Sequence, residues 1–342
     1  MLFRLLLPVI GLSVHVLALT VSDLDSSTTS SMLSLMKLAL LLTPMSAHHL
    51  TLAAQVGASD IVGTFPSTDL DTLKQQCALA EEHGLNISVI ERHLPHDLLV
   101  HGRPGKETQL EGFKALIRNM STCGIRTLCY NWMPDDDWQR TSFAAPERGG
   151  ALVTEFVLSQ VDQTPSGETT SAAALWQHLE FFLKEIAPFA EDHGVTLALH
   201  PDDPPLPNLR GQDRIIVNYE AFERVLNLCD SSANQLCFCQ GSFASGCEDI
   251  PAGIRRFAGK IAFAHFRDVQ GKATQFRESF HDTGKTDMAA SIRAYRETGF
   301  DGPIRPDHVP TLAGETNENP GYEMLGRLHA IGYMKGLIDG TA

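Results

Sequence analysis

The sequence predicts an α/β protein, a single-domain (β/α)8 TIM barrel that follows a short N-terminal extension. Three observations carry that expectation. Short apolar runs alternate eight times with longer stretches of 3.6-residue periodicity. No glycine-rich phosphate loop follows the first strand, where Leu41-Leu-Thr-Pro-Met45 stands instead, which weighs against a doubly wound sheet. Metal-competent side chains recur at the ends of four successive late strands, the rim where barrels of this kind carry their chemistry.

Each element follows from its local pattern. Residues 36–42, Met-Lys-Leu-Ala-Leu-Leu-Leu, are short and almost uniformly apolar, as a parallel strand covered on both faces requires. A helix is predicted over 48–56, a second strand over 60–63 and a helix over 68–83 that Gly84 stops. Strand three spans 86–92, and a helix follows over 106–122. Strand four spans 125–130, and a long excursion over 131–167 separates it from a helix over 172–193 that ends at Gly194. Strand five is 195–200, with a proline-rich loop and a helix over 219–228. Strand six is 235–239, with a helix over 250–257. Strand seven is 261–266, with an insertion and then a helix over 288–298. Strand eight is 303–306, and a final helix covers 322–339. No short internal repeat is present.

The first 35 residues have a different composition. Residues 1–20 are apolar with one early Arg4, and 26–31 form a Ser/Thr run of linker character. The folded domain is expected to be 36–342, with 1–35 a tail; a signal-like or anchoring segment is the competing reading. A chain that begins at Met36 is therefore expected to fold and to retain full activity. Loss of soluble protein on truncation would make residues 1–35 structural.

Composition narrows the function classes. The 342 residues carry 27 basic and 41 acidic side chains, a net charge of −14, and no basic patch. Such a surface repels phosphate backbones, so nucleic acid is not an expected partner. A membrane partner is not expected either. Seven cysteines, an odd number in a long chain, argue against a disulfide framework and for a reduced, cytoplasmic setting. Oligomeric state, including a homo-oligomer, stays open.

The chemistry gathers on the late strands. Strand five ends at His200, strand six at Cys239, strand seven carries His265, and strand eight leads into Asp307. One histidine alone is most simply structural. Four metal-competent groups at equivalent rim positions predict a metal site. Two imidazoles, a thiolate and a carboxylate suit Mn, Fe or Zn better than Ca or Mg. A mixed set of this kind, with room for substrate, fits a Lewis-acid catalyst better than a closed structural zinc. Cys237 shares the inward face with Cys239 but lies one layer deeper.

The segments His200-Pro-Asp-Asp-Pro-Pro205, Phe238-Cys-Gln-Gly-Ser242 and Arg305-Pro-Asp-His308 closely resemble those of the mannonate dehydratase family. So do Cys129-Tyr-Asn-Trp-Met-Pro134, Asp137-Trp-Gln-Arg-Thr141 and Pro320-Gly-Tyr322. The resemblance runs from about residue 36 to residue 340. It implies a metal-dependent hydro-lyase on a sugar-isomerase-like barrel. The implied reaction converts D-mannonate to 2-dehydro-3-deoxy-D-gluconate and water with Mn(II) or Fe(II), in hexuronate (glucuronate) catabolism. It implies metal ligation by His200, Cys239, His265 and Asp307. It also implies Tyr322 and His308 near the reacting carbons and Arg305 near the substrate carboxylate. Catalytic roles then fall among Tyr322, His308 and Asp307, with acid and base unassigned. The competing readings are a Tyr322 that packs at the start of a helix and a His308 that orients Asp307.

Tyr130, Asn131 and Arg140, after strand four, are candidates to bind substrate hydroxyls or the carboxylate; Arg140 reads equally as a surface residue. Asp202 and Asp203 read as structural, hydrogen-bonding His200 or capping the turn with Pro204. Trp132, Trp138 and Trp176 read as packing or wall residues. His93, His96 and His101 form a histidine-rich loop that faces solvent or substrate, with a second metal site there as the competing reading. Segments 243–248 and 309–315 depart from the commonest form of the family, and the extension is not a family feature. The competing function is a sugar or sugar-acid isomerase or epimerase on the same barrel.

Overall fold

A computed structural model describes residues 36–134, 138–165, 167–246 and 248–341; the tail read over 1–35 lies outside them. Eight strands close the barrel: β1 (Lys37–Leu41), β2 (Asp60–Thr64), β3 (Asn86–Arg92), β4 (Thr127–Tyr130), β5 (Thr196–Leu199), β6 (Asn234–Cys239), β7 (Ile261–Phe266) and β8 (Pro303–Pro306). Each pairs in parallel with the next in sequence, and β8 pairs with β1.

Strand periodicity divides the apolar residues between two cores. Ala39, Leu41, Val62, Val89, Cys129, Ala198, Cys237 and Phe263 fill the barrel interior. Their neighbours, such as Leu38, Leu40, Leu128, Leu236 and Phe238, pack outward against the helices. Helix starts follow the capping rule: Asp69, Ser171, Asn218, Asp249 and Asp287 each accept a backbone N–H three residues on. In the helix Ala172–Asp192, Phe182 is fully buried, with Phe113, Tyr130 and Trp132 ring centroids 5.2–5.4 Å away. Phe182→Ala is expected to cost about 3–5 kcal/mol of stability. Urea denaturation measures this, and a change below about 1 kcal/mol would contradict the packing role.

Several elements differ from expectation. The excursion after β4 and the insertion after β7 are not irregular. They supply strands Ser142–Pro146, Leu152–Val157, Val269–Lys272 and Gln275–Glu278, which pair antiparallel into one four-stranded sheet. Phe156 and Phe276 oppose each other across that sheet and stack at 5.7 Å. The histidine-rich loop after β3 includes a short helix, Asp97–His101, and another helix, Gln240–Ser245, follows β6 directly. The last helix begins at Met324 rather than residue 322. Gly321 takes a left-handed φ of 82°, and the Tyr322 N–H donates to the Asn319 carbonyl, so Tyr322 sits in a turn outside the helix.

Candidate active site

The C-terminal strand ends open into a cavity of about 390 Å³. His200, His265, Asp307, His308, Arg305, Tyr322, Tyr130 and Asn131 all line it. Arg140 does not; it lies behind the wall, its guanidinium buried.

The four expected metal ligands converge. The His200 and His265 rings are 4.9 Å apart between centroids. Donor atoms of His200, Cys239 and His265 lie within 4.8 Å of one another. Cys239 Sγ is 4.0 Å from Asp307 Oδ2, and His265 Nδ1 is 3.7 Å from the same oxygen. Burial opposes a charged Cys239, but Arg267 and His200 outweigh it and hold the thiol well below its usual range, favouring thiolate. The Ser242 hydroxyl donates to this sulfur at 3.3 Å and accepts from Arg267 Nη2 at 3.1 Å. Gly241 leaves room for that guanidinium stem, because a Cβ there would collide with Arg267. His265 is 1% exposed, and neither ring nitrogen has a hydrogen-bond partner. Unpartnered buried polar nitrogens are costly unless something ligates them. Together with the mixed N/S/O donor set, they fit a transition-metal ion.

A second cluster sits beside the first. His308 Nε2 is 3.0 Å from the Tyr322 hydroxyl, and Nδ1 is 3.0 Å from Glu278 Oε1. Arg267 also contacts Nδ1 closely. Two arginines bridge two carboxylates behind His308. Arg140 donates to Asp203 at 2.9 Å and Glu278 at 2.5 Å; Arg267 donates to Asp203 at 2.7 Å and Glu278 at 2.8 Å. Burial raises the cost of these charges, yet Arg140 and Arg267 keep both carboxylates ionised, with pKa values below the ordinary range. His308 has a left-handed φ of 22°, rare outside glycine, at the residue that presents its ring to Tyr322. Burial, then the Asp307 charge, push the Tyr322 phenol well above its usual pKa, so it stays protonated near neutral pH.

Arg305 lines the cavity and is already heavily bonded. It donates to both oxygens of Glu91, at 2.9 and 2.6 Å, to Asp307 at 2.8 Å and to the Pro306 carbonyl at 3.0 Å. These bonds hold Asp307 and leave the guanidinium little capacity for a substrate carboxylate. Asp202 and Asp203 do not bond His200, whose Nδ1–H donates to the Pro201 carbonyl. Asp202 instead accepts the Ile216 N–H. The Tyr130 hydroxyl is buried without a hydrogen-bond partner. His93 and His96 line the cavity with rings 5.1 Å apart, and burial and then His96 push the His93 pKa down to about 3. Among the described residues these histidines join no cluster of metal-ligand spacing. His101 is taken by Thr170 and the Pro134 carbonyl.

Sequence reasoning missed Glu91, Arg92, Arg267 and Glu278. Glu91 and Arg92 end β3, so the rim rule, applied there, finds them. Arg267 follows β7 by one residue. Glu278 carries no clear local signal, since its partners Arg140 and His308 lie 138 residues earlier and 30 later in the chain, with Arg267 the third.

Comparison with known proteins agrees with this geometry. The D-mannonate dehydratase (UxuA) family profile matches residues 49–172 and 166–342. Mannonate dehydratase 2 of Halalkalibacterium halodurans is 34% identical over 311 residues, covering 82% of this chain and 89% of that protein. The mannonate dehydratase of Streptococcus uberis is 35% identical over 300 residues, covering 79% and 86%. The crystal structure of mannonate dehydratase from Streptococcus suis serotype 2 superposes with a TM-score of 0.84 at 32% identity, covering 90% and 94%. An L-ribulose 3-epimerase, at TM-score 0.62 and 15% identity, shares the fold. Matched along nearly its whole folded length, with its site residues gathered on one barrel rim, this chain belongs to the D-mannonate dehydratase (UxuA) family.

Proposed function

We propose that this hydro-lyase converts D-mannonate to 2-dehydro-3-deoxy-D-gluconate and water at the rim cavity, using a divalent ion, Mn(II) or Fe(II), held by His200, Cys239, His265 and Asp307. The observation that carries the metal is the buried imidazole of His265, with no hydrogen bond on either nitrogen, beside a thiolate-favouring Cys239. When bound, the ion supplies Lewis acidity that stabilises the negative charge developing as the C2 proton leaves.

The chain's own residues move the protons. In the tautomer that carries its proton on Nδ1, toward Glu278, His308 offers Nε2 as the base for the C2 proton. Tyr322, a protonated phenol at rest, donates to the C3 hydroxyl as it departs as water. The 3.0 Å bond between the two groups then returns the proton from His308 to Tyr322. The substrate has lost H from C2 and OH from C3, and the resulting enol becomes the 2-keto acid. Trp138 packs on His308 at 4.4 Å between ring centroids and holds the imidazole in place. Asn131, on the cavity wall, binds substrate hydroxyls, whereas the Tyr130 ring turns outward against Phe182. Arg92, over the Tyr322 ring at 4.8 Å, brings positive charge toward the substrate carboxylate. Arg305 and Arg140 position Asp307 and His308 rather than touching substrate.

The epimerase alternative draws only on structures of 12–15% identity, which share the fold. A reducing, cytoplasmic setting suits a site whose sulfur ligand must stay a thiolate. The test is incubation with D-mannonate and Mn(II), with colorimetric detection of 2-keto-3-deoxy acid. Product that depends on both additions is expected; an epimerised aldonate without loss of water would overturn the reading.

A further inference from the structure

Below the rim, the barrel interior carries a second set of soft donors. Cys129 on β4 and Cys237 on β6 both point inward, with the small Ala198 of β5 packed beside them. Their sulfurs and a ring nitrogen of His265 lie within 4.8 Å of one another. All three residues are at most 2% exposed. Neither His265 ring nitrogen makes a hydrogen bond, and the ring sits between two carboxylates: Nδ1 is 3.7 Å from Asp307, and Nε2 is 3.5 Å from Glu91. The rest of this level is apolar, with Ala39, Val62, Val89 and Phe263.

We propose that Cys129, Cys237 and His265 form a second, thiophilic metal site that takes a soft divalent ion such as zinc or cadmium, and that filling it disables the rim centre. Two sulfurs and one imidazole favour such ions over manganese. Zinc–thiolate bonds of about 2.3 Å place two sulfurs about 3.8 Å apart in a tetrahedron, so the observed spacing needs a contraction of no more than about 1 Å. Entry is open from above, because Cys129 and His265 line the cavity. Binding releases the thiol protons to solvent and forms two metal–sulfur bonds with no redox change.

The coupling between the two sites follows from one ring. A neutral imidazole has a single free lone pair, so His265 ligates one ion at a time. An ion in the lower site takes this nitrogen from the rim set. This half of the inference rests on His265 being a rim ligand; the existence of the lower site does not.

The experiment titrates cadmium(II) into the full chain and follows the ultraviolet thiolate-to-cadmium charge-transfer absorption, with Mn(II)-supported dehydration measured in parallel. Wild type is expected to show two thiolates per ion in the first equivalent. Cys237→Ser is expected to show about half that absorption, unchanged manganese-supported activity, and at least about ten-fold more cadmium needed for half-inhibition, the lower end of what losing even an outer-shell partner costs a metal site. Cys129→Ala repeats the comparison should serine at 237 impair folding. Other cysteines contribute the same background to every chain. Equal absorption per ion in wild type and both variants would overturn the site. A two-thiolate signal with manganese activity intact would overturn the shared-histidine coupling. If no chain dehydrates D-mannonate, the proposed function fails, and the absorption alone still decides whether the lower site exists.

Discussion

Cys239→Ser is expected to lower bound metal and turnover together, by at least about 100-fold in metal affinity, the upper end of the loss seen when only an outer-shell partner is removed. A serine hydroxyl does not ionise near neutral pH, whereas the thiol at this position is strongly biased toward thiolate: burial opposes it, but Arg267 and His200 prevail. The substitution also removes the negative sulfur that helps balance the nearby Arg267 charge. Elemental analysis of the purified variant, alongside a thermal melt, separates lost ligation from lost fold. A stoichiometric ion retained by a folded variant would contradict the assignment of Cys239 as a ligand.

Tyr322→Phe is expected to cut turnover by about 100-fold or more, in line with the contribution of a positioned general acid, while metal content stays near wild type. The ring contacts with Arg92 and Trp138 survive the change; the hydroxyl bonded to His308 does not. Turnover and metal content are measured on the same preparation. Near-normal turnover would reduce Tyr322 to packing and leave proton transfer to His308. Metal lost with activity would show that the phenol supports the site's structure.

Much of this site was legible because barrel strands obey two local rules. Alternation tells which residues face inward, and chain direction tells which end is the rim. Those rules place His200, Cys239, His265 and Asp307 on one face before any coordinates, and the period of two separates Cys237 from Cys239 by depth. Glu91 was equally legible in principle, at the end of β3. The ion pair of Arg305 with Glu91 was not legible, because Glu91 lies 214 residues earlier in sequence and no local pattern reveals that pairing. The same holds for Arg140, whose bond to Glu278 spans 138 residues. The four-stranded sheet was hidden for a related reason. Its central pair joins segments more than 100 residues apart, and each half alone reads as loop.

That sheet also bears on how the enzyme handles substrate. It ties the segment after β4 to the segment after β7, and through Arg140, Asp203, Glu278 and Arg267 it anchors the ring of His308. Swinging either segment aside would expose or unpair four buried charges at once, a far larger cost than an ordinary loop motion. The wall behind His308 is therefore preorganised masonry rather than a door. Among the described lining residues, His93, Leu94 and the exposed Pro95 belong to no such charge lattice, so reshaping that stretch is expected to alter substrate passage while sparing the chemistry.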